Sequence, residues 1–177
     1  MIYRFILLSN EKDDFKREIQ INAKATFEEF HHAIQASVGY DNKQLSSFFI
    51  CNEHWEKQTE VTLIEMEDTL DKPTYVMDVT RLDELVKGKG QRLLYVFDLL
   101  LDRAFFIDLC EVIPMKKLKK PVCLLSEGEA PIQQINDGDL NGALDEPNLD
   151  MDGLYDDLDD DLLSNGFENI EDLETDF

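Results

Sequence analysis

The sequence has few cysteines and no long apolar run. Its three cysteines, Cys51, Cys110 and Cys123, are odd in number, and no two of them form a Cys-x-x-Cys pair. A disulfide-stapled secreted domain is therefore disfavoured, and we interpret them as reduced, mostly buried thiols of a cytoplasmic protein. No apolar run approaches the ~20 residues of a membrane-spanning helix. Residues 1–8 lack the basic start and cleavage site of a signal peptide, so they predict a first strand.

Basic residues are absent from the C-terminal part of the chain. All 17 lysines and arginines lie within residues 1–125, beside 21 acidic residues, whereas the remaining 52 residues contain 18 acidic residues and no base. The formal charge of the whole chain is -22, which disfavours a dedicated nucleic-acid binder because such proteins normally present a basic face. We therefore predict a domain over residues 1–125 and an acidic tail over residues 126–177.

The predicted tail changes in composition along its length. High charge and low hydrophobicity favour disorder up to about residue 153. Beyond that point apolar residues recur at helical spacing within an acidic run, which predicts one or two short amphipathic helices that fold on a surface or a partner. The apolar anchors of this segment are Leu158, Leu162, Phe167, Leu173 and Phe177.

The predicted domain begins with two strands followed by a helix. Residues 2–8 are rich in strand formers and residues 15–21 alternate between apolar and polar positions, which together predict a hairpin. Thr26 and Glu29 have the spacing of a capping box, and the apolar residues that follow recur at helical spacing until Gly39. The apolar stripe of this helix is expected to pack against the hairpin.

The rest of the domain is predicted to contain further strands and one short helix. The alternation of residues 91–97 and 103–113 predicts a second hairpin. Thr80 is expected to cap a short helix, and residues 52–71 are predicted to be irregular. Shorter strands are predicted at residues 47–51, 75–77 and 121–125. The last of these begins with a proline, which favours a sheet edge. The predicted fold class is α+β, with a mainly antiparallel sheet and one principal helix.

Four segments in this order have the pattern of a known family. The first is the pair of strands at residues 3–5 and 15–19, and the second is a helix that begins at residue 26 and is followed by Gly39-Tyr40. The third is a strand end with the aromatic-x-aromatic-Asp pattern at residues 95–98. The fourth is a Pro-x-Cys strand start at residues 121–123 with Gly128-Glu129-Ala130-Pro131 after it. On these features the chain resembles the plasmid pRiA-type ORF-three-like family, which is also grouped with insertion-element passenger proteins. The likeness covers residues 1 to about 131. The resemblance implies an α+β fold and no established activity.

The chain departs from the family pattern at two places. The family usually has a Trp and a His after the strand-end Asp, whereas residues 99–106 contain neither. The acidic and glycine residues expected after the Pro segment are replaced by Ile132, Gln133 and Gln134. If those family positions form a polar site, we expect this chain to lack it.

One basic cluster is present, and it is a candidate docking surface. Its lysines are Lys116, Lys117, Lys119 and Lys120. They could simply be a solvated loop that discourages edge-to-edge strand pairing. Alternatively, a protein partner, a nucleic acid or the chain's own acidic tail could occupy them, and we predict at least transient contact with the tail, by an attraction that salt screens beyond about 8–10 Å.

Candidate metal ligands are present but incomplete. The acidic tail echoes a calcium-binding loop, because calcium takes six or more oxygen ligands and a glycine permits the turn. The calcium candidates are Asn148, Asp150, Asp152, Asp156 and Asp159. Such spacing also arises by chance in a segment this rich in Asp. Adjacent His31 and His32 cannot share one helix face, and Cys51 with His54 would need two further ligands for zinc. We therefore predict no cofactor.

The sequence favours an interaction module over an enzyme. It has no nucleophile elbow, P-loop or dinucleotide fingerprint. The leading hypothesis is a non-enzymatic cytoplasmic module whose acidic tail binds a basic protein partner. The alternative, suggested by the family's grouping, is an accessory factor in mobile-element DNA transactions that uses a lysine patch masked by the tail. An enzyme of unrecognised chemistry would require a pocket with converging polar groups.

Overall fold

The computed structural model describes residues 1–65 and 74–135 of the chain. These residues form eight strands and two helices. In chain order the elements are β1 (Ile2–Ser9), β2 (Lys16–Asn22), α1 (Phe27–Val38), β3 (Ser47–Cys51), β4 (Lys57–Thr62), β5 (Tyr75–Val76), α2 (Leu82–Leu85), β6 (Arg92–Asp98), β7 (Arg103–Ile113) and β8 (Val122–Glu127).

The eight strands form one sheet with the order β5-β4-β3-β6-β7-β1-β2-β8. All neighbouring pairs are antiparallel except β4 and β5, which are parallel. The predicted α+β class, with a mainly antiparallel sheet and one principal helix, is confirmed. Within residues 1–65 and 74–135, no helix is both long and apolar enough to cross a bilayer.

The predicted start of strand, strand and helix is confirmed in detail. The β1–β2 hairpin pairs Phe5 with Ile19. The Thr26 side chain accepts from the Glu29 N–H, and the Glu29 carboxylate accepts from the Thr26 N–H, which completes the capping box. Gly39 ends the helix with φ +71°, a left-handed conformation that glycine adopts without a Cβ penalty.

The core lies between α1 and one face of the sheet. Phe30 of α1 stacks on Phe5 of β1 at a centroid distance of 4.6 Å and on Phe48 of β3 at 5.4 Å. Phe48 in turn contacts Tyr95 of β6. The helix therefore packs across β3 as well as against the predicted hairpin, because its apolar stripe spans more than two strands.

Two predictions for the middle of the chain are wrong. Residues 57–62, predicted to be irregular, form β4, because they pair with β3 on one side and β5 on the other. Only Val61 and Thr62 of this strand are buried, so its alternation is weak. The short helix α2 exists, but Arg81 rather than Thr80 precedes it; Thr80 is buried and its carbonyl accepts from the N–H of Phe27.

The compact body continues past residue 125, the predicted end of the domain. Residues 1–135 form one compact unit. The buried Arg17 guanidinium donates to the carbonyl of Ser37 at the end of α1 (3.0 Å) and to the carbonyl of Gly128 (3.0 Å). Tyr40 Oη donates to the carbonyl of Pro131. The segment after β8 is thus hydrogen-bonded to the body up to at least Gln133, which bonds to Asp41.

Candidate partner-binding site

The predicted basic cluster forms an exposed loop that crosses the ends of strands β1 and β2. We call residues 114–121, which link β7 to β8, the lysine loop. Because β1 and β2 lie between β7 and β8 in the sheet, this loop runs past the start of β1 and the end of β2. All four of its lysine side chains are exposed. The four lysines are therefore exposed on one short loop.

A cleft of about 790 Å³ lies beside the lysine loop. Its walls come from five parts of the chain: the start of β1, the end of β2 with the link that follows it, the first turn of α1, the region of α2, and the lysine loop. The lining residues are Met1, Tyr3, Asn22, Ala23, Lys24, Ala25, Glu29, Asp83, Glu84, Val86, Lys87, Lys117 and Leu118.

Hydrogen bonds between the walls hold the cleft in shape. The Asn22 side chain donates to the carbonyl of Leu118 (2.6 Å) and accepts from its N–H (2.9 Å), which fixes the lysine loop to the end of β2. The N–H of Asp83 donates to the carbonyl of Ala23 (2.8 Å), and the N–H of Leu82 donates to Ala25 (2.9 Å). These hydrogen bonds join the lysine loop to β2, and the α2 region to the link between β2 and α1.

The carboxylates that line the cleft already have partners within the chain. Glu29 accepts from the backbone in the capping box. Arg81 Nε donates to Glu84 Oε1 at 3.1 Å, and it lies 3.2 Å from Asp83 Oδ1, without the geometry of a hydrogen bond to that buried atom. Each of these carboxylates therefore has a partner in the protein, although the side chains of Glu29 and Glu84 are exposed.

The lysines of the cleft are unpaired. In the described ranges, no carboxylate lies within 4 Å of the ammonium groups of Lys24, Lys87 or Lys117. The same holds for the other lysines of the lysine loop. Lys24 and Lys87 are exposed and come from two other segments. Neither was predicted as a site residue from the sequence, because each is an isolated lysine in its own segment.

Tyr3 does not supply a base to the cleft. Its hydroxyl donates to the carbonyl of Val86 at 3.4 Å. Burial raises the pKa of Tyr3, and the nearby negative charge of Asp83 raises it further. The phenol therefore stays protonated at neutral pH and does not supply a base for catalysis.

A second polar cluster lies inside the core, around His31. Its Nδ1 is 2.8 Å from Tyr95 Oη and 3.1 Å from Ser46 Oγ, and all three residues are buried. Burial, with a smaller contribution from the neighbouring His32, lowers the pKa of His31 to about 4. In a neutral imidazole with its proton on Nε2, the single lone pair of Nδ1 accepts from one of these two hydroxyls. None of the three lines the cleft, so the cluster is better explained as satisfied core polarity than as a nucleophile and base.

The residues considered as zinc ligands in the sequence differ in burial. His31 is buried whereas His32 is exposed, and Cys51 is buried whereas His54 is exposed. Among the described residues, no three His, Cys, Asp or Glu side chains are arranged to hold a metal. The calcium candidates Asn148, Asp150, Asp152, Asp156 and Asp159 lie outside the described residues, as do Leu158, Leu162, Phe167, Leu173 and Phe177.

The cysteines are free thiols, but they are not mostly buried as predicted. Cys51 is buried, Cys110 is half-buried, and Cys123 is exposed on β8. Burial raises the pKa of the Cys51 and Cys110 thiols. Cys123 lies on an outer strand, and that position explains why its apolar sequence context does not bury it.

The two departures from the family pattern meet at one corner of the body, around Arg103. Its guanidinium donates to both carboxylate oxygens of Glu11 (3.0 and 2.8 Å) and to the carbonyls of Ile132 (2.7 Å) and Gln133 (3.3 Å). The Gln133 side chain also forms two hydrogen bonds with the backbone of Asp41. It donates to the carbonyl and accepts from the N–H, both at 2.7 Å. Gln133, one of the residues that depart from the family pattern, therefore joins the segment after β8 to the residues that follow α1. The polar groups of this corner form hydrogen bonds with one another.

Comparison with known proteins supports the fold and the family. A search of curated proteins finds no match. The crystal structure of a protein of unknown function, MM3350 from Methanosarcina mazei Go1, is similar to this chain, with a TM-score of 0.56 and 21% identity over 71% of this chain and 68% of that one. At this identity the likeness shows the fold alone. The model of the plasmid pRiA4b ORF-3-like protein family matches residues 2–144, which confirms the resemblance found in the sequence. The chain belongs to the plasmid pRiA4b ORF-3-like protein family.

Proposed function

We propose that the protein is a non-enzymatic, cytoplasmic protein-interaction module. It has two surfaces of opposite charge. The lysine loop suits an acidic partner, and the acidic segment that follows the body suits a basic one. The observation that supports the proposal most directly is that Lys116, Lys117, Lys119 and Lys120 are all exposed and without a carboxylate partner in the described ranges.

The cost of keeping these lysines together supports a binding role. Like charges on one short loop repel each other, and a surface with no binding role gains little from concentrating them. Asn22 nevertheless holds the loop in place through two hydrogen bonds to Leu118. A fixed array of unpaired ammonium groups can attract carboxylates and set their register.

The acidic tail remains part of the proposal. Its 18 acidic and no basic residues after residue 125 suit a basic protein, and its spaced apolar residues would provide anchors. By charge alone the tail would also compete for the lysine loop, so we propose that tail and acidic partner exclude one another there. This competition would regulate access to the loop.

The proposal is tested by affinity capture with four forms of the protein. They are the full chain, a loop variant with Lys117, Lys119 and Lys120 changed to Gln, a control variant with exposed Lys12, Lys43 and Lys89 changed to Gln, and a chain that ends at residue 135. Bound proteins are identified by mass spectrometry. Loop-dependent partners are lost in the loop variant and retained in the control; tail-dependent partners are lost when the chain ends at 135. If all four forms capture the same proteins, the proposal is wrong.

The alternative is an accessory role in mobile-element DNA transactions, and the same four lysines favour it. In that case the chain ending at residue 135 binds duplex DNA, the full chain binds it more weakly, and the loop variant does not bind it. The logarithm of the affinity then falls with the logarithm of salt concentration, by a slope of about 0.9 for each phosphate contact. Fluorescence anisotropy with labelled DNA measures this; absence of binding by the shorter chain would remove the alternative.

A further inference from the structure

We propose that the cleft beside the lysine loop seats an extended acidic segment of a partner protein. In this arrangement, carboxylates of the segment pair with Lys24, Lys87 and Lys117, and an apolar side chain between them rests on the floor of the cleft. The inference deepens the proposed function and rests on it, because Lys117 belongs to both the loop and the cleft.

The charges in the cleft favour an anionic group. Its three carboxylates, from Glu29, Asp83 and Glu84, are engaged by the backbone of Thr26 or by Arg81. Its three lysines have no such partner in the described part of the chain. Three ammonium groups without a carboxylate partner, on three separate segments of the chain, are therefore available to an anionic ligand. A ligand that carries several carboxylates satisfies all three lysines, whereas a single anion satisfies only one.

The cleft also has apolar lining residues. Met1 is exposed and Leu118 is half-buried, so both keep accessible apolar surface there, whereas Tyr3, Ala23, Ala25 and Val86 are themselves buried. An apolar side chain that covers Met1 and Leu118 removes apolar surface from water, which is favourable. This combination of lysines and apolar surface matches a peptide in which acidic and aliphatic residues alternate.

The shape of the cleft also suits a polypeptide. Its walls are joined by the Asn22–Leu118 and Ala23–Asp83 hydrogen bonds, so a ligand does not have to order them. A nucleic acid would meet the carboxylates of Glu29 and Glu84 with a phosphate on every nucleotide. A peptide can place uncharged residues opposite these carboxylates, and we therefore favour a peptide.

The test uses the full chain and a short fluorescein-labelled peptide of glutamate and leucine residues. Two double variants separate the cleft from the loop. Lys24→Gln with Lys87→Gln changes the cleft but not the loop, whereas Lys119→Gln with Lys120→Gln changes the loop but not the cleft lining. Lys12→Gln with Lys43→Gln is the matched control on exposed positions elsewhere. A peptide with glutamine in place of glutamate and an oligothymidine serve as the other probes.

The cleft proposal predicts that the Lys24 and Lys87 variant binds the glutamate peptide about tenfold more weakly, since two exposed ion pairs are lost. The control variant changes the affinity by less than about twofold. Amide NMR shifts on addition of the peptide are then expected at Ala23, Ala25 and Val86.

The other outcomes overturn the proposal in distinguishable ways. If only the variant with Lys119→Gln and Lys120→Gln binds the peptide more weakly, the peptide does not bind in the cleft, and the proposed function stands. If neither double variant binds it more weakly, the cleft proposal and the proposed function are both wrong. If the glutamine peptide binds as tightly as the glutamate peptide, the cleft does not recognise carboxylates. If the oligothymidine binds more tightly than the glutamate peptide, the ligand of the cleft is a nucleic acid rather than a peptide.

Discussion

The side-chain amide of Asn22 forms a closed pair of hydrogen bonds with the backbone of Leu118. Nδ2 donates to the carbonyl at 2.6 Å, and Oδ1 accepts from the N–H at 2.9 Å. The two residues are 96 positions apart in the chain. This one side chain connects the end of β2 to the lysine loop, so it determines where the loop's lysines stand relative to the cleft.

Replacing Asn22 with Ala is expected to lower the free energy of unfolding by about 1–2 kcal/mol, since two hydrogen bonds are lost at a half-buried site. It also frees the lysine loop, so affinity for the glutamate peptide falls although no charge changes. Urea unfolding and fluorescence anisotropy measure the two effects. Asn10→Ala, at an exposed position without a side-chain hydrogen bond, is the control. An unchanged affinity in the Asn22 variant would show that the loop does not depend on this connection.

The free energy of unfolding is expected to decrease as the pH falls from 7 to 4, because of His31. Its pKa is 6.5 in the unfolded chain and about 4 in the fold, where it is buried against Tyr95 and Ser46. The unfolded state therefore binds the proton first, and the stabilisation is complete above pH 6.5 and lost as the pH falls toward 4. The expected loss from this group is about 3 kcal/mol.

Urea unfolding at several pH values between 7 and 4 measures this loss in the wild type, in His31→Gln and in His32→Gln. The Gln at position 31 does not titrate, so the pH dependence becomes shallower. His32 is exposed, and its variant keeps the wild-type slope. Parallel curves for the wild type and the His31 variant would contradict the assignment.

Gly128→Ala is expected to destabilise the fold more than Gly39→Ala. Both glycines have positive φ, +64° and +71°, so both substitutions carry the left-handed cost of about 1–2 kcal/mol. A Cβ at Gly128 would also lie 2.4 Å from the carbonyl oxygen of Asp14, whereas one at Gly39 meets nothing within 4 Å. The difference between their unfolding free energies isolates the steric contact. Equal values would mean that the segment after β8 does not press against residue 14.

Arg103→Lys is expected to destabilise the body by about 2 kcal/mol, although the charge is kept. The arginine side chain is 9% exposed, and it reaches Glu11 and two backbone carbonyls at once, which a lysine amine cannot do. Arg81→Lys is the control, because Arg81 is 46% exposed and its ion pairs contribute little. Thermal unfolding compares the two variants. A smaller loss for Arg103 than for Arg81 would show that the corner does not stabilise the fold.

Local patterns were sufficient for most of the secondary structure. The helix from Phe27 to Val38 was predictable because its cap, its apolar spacing and its terminal glycine all lie within a few residues of one another. The strands β1, β2, β6 and β7 were predictable from alternation. β4 was not, because most of its side chains remain in water and its sequence lacks an apolar face.

Partners of buried polar groups were not predictable from local pattern. His31 lies on the apolar face of α1 with Phe27, Phe30 and Ile34, and that spacing alone could have indicated its burial. Its partner Tyr95 is 64 residues away on β6, and nothing in the local sequence indicates this contact. Similarly, the lysine cluster was evident in the sequence, but its neighbours Lys24 and Lys87 were not.

The sequence by itself determined the periodicity of the elements, the α+β class, the charge of each segment and the family, because these depend on residues near each other or on composition. Only the tertiary structure decided the strand order, the extent of the body to residue 135, and the cleft. These depend on contacts between distant segments, and such contacts form only when burial of the shared apolar faces brings the segments together. The unpaired lysines of the cleft come together for the same reason, because they lie on three separate segments of the chain.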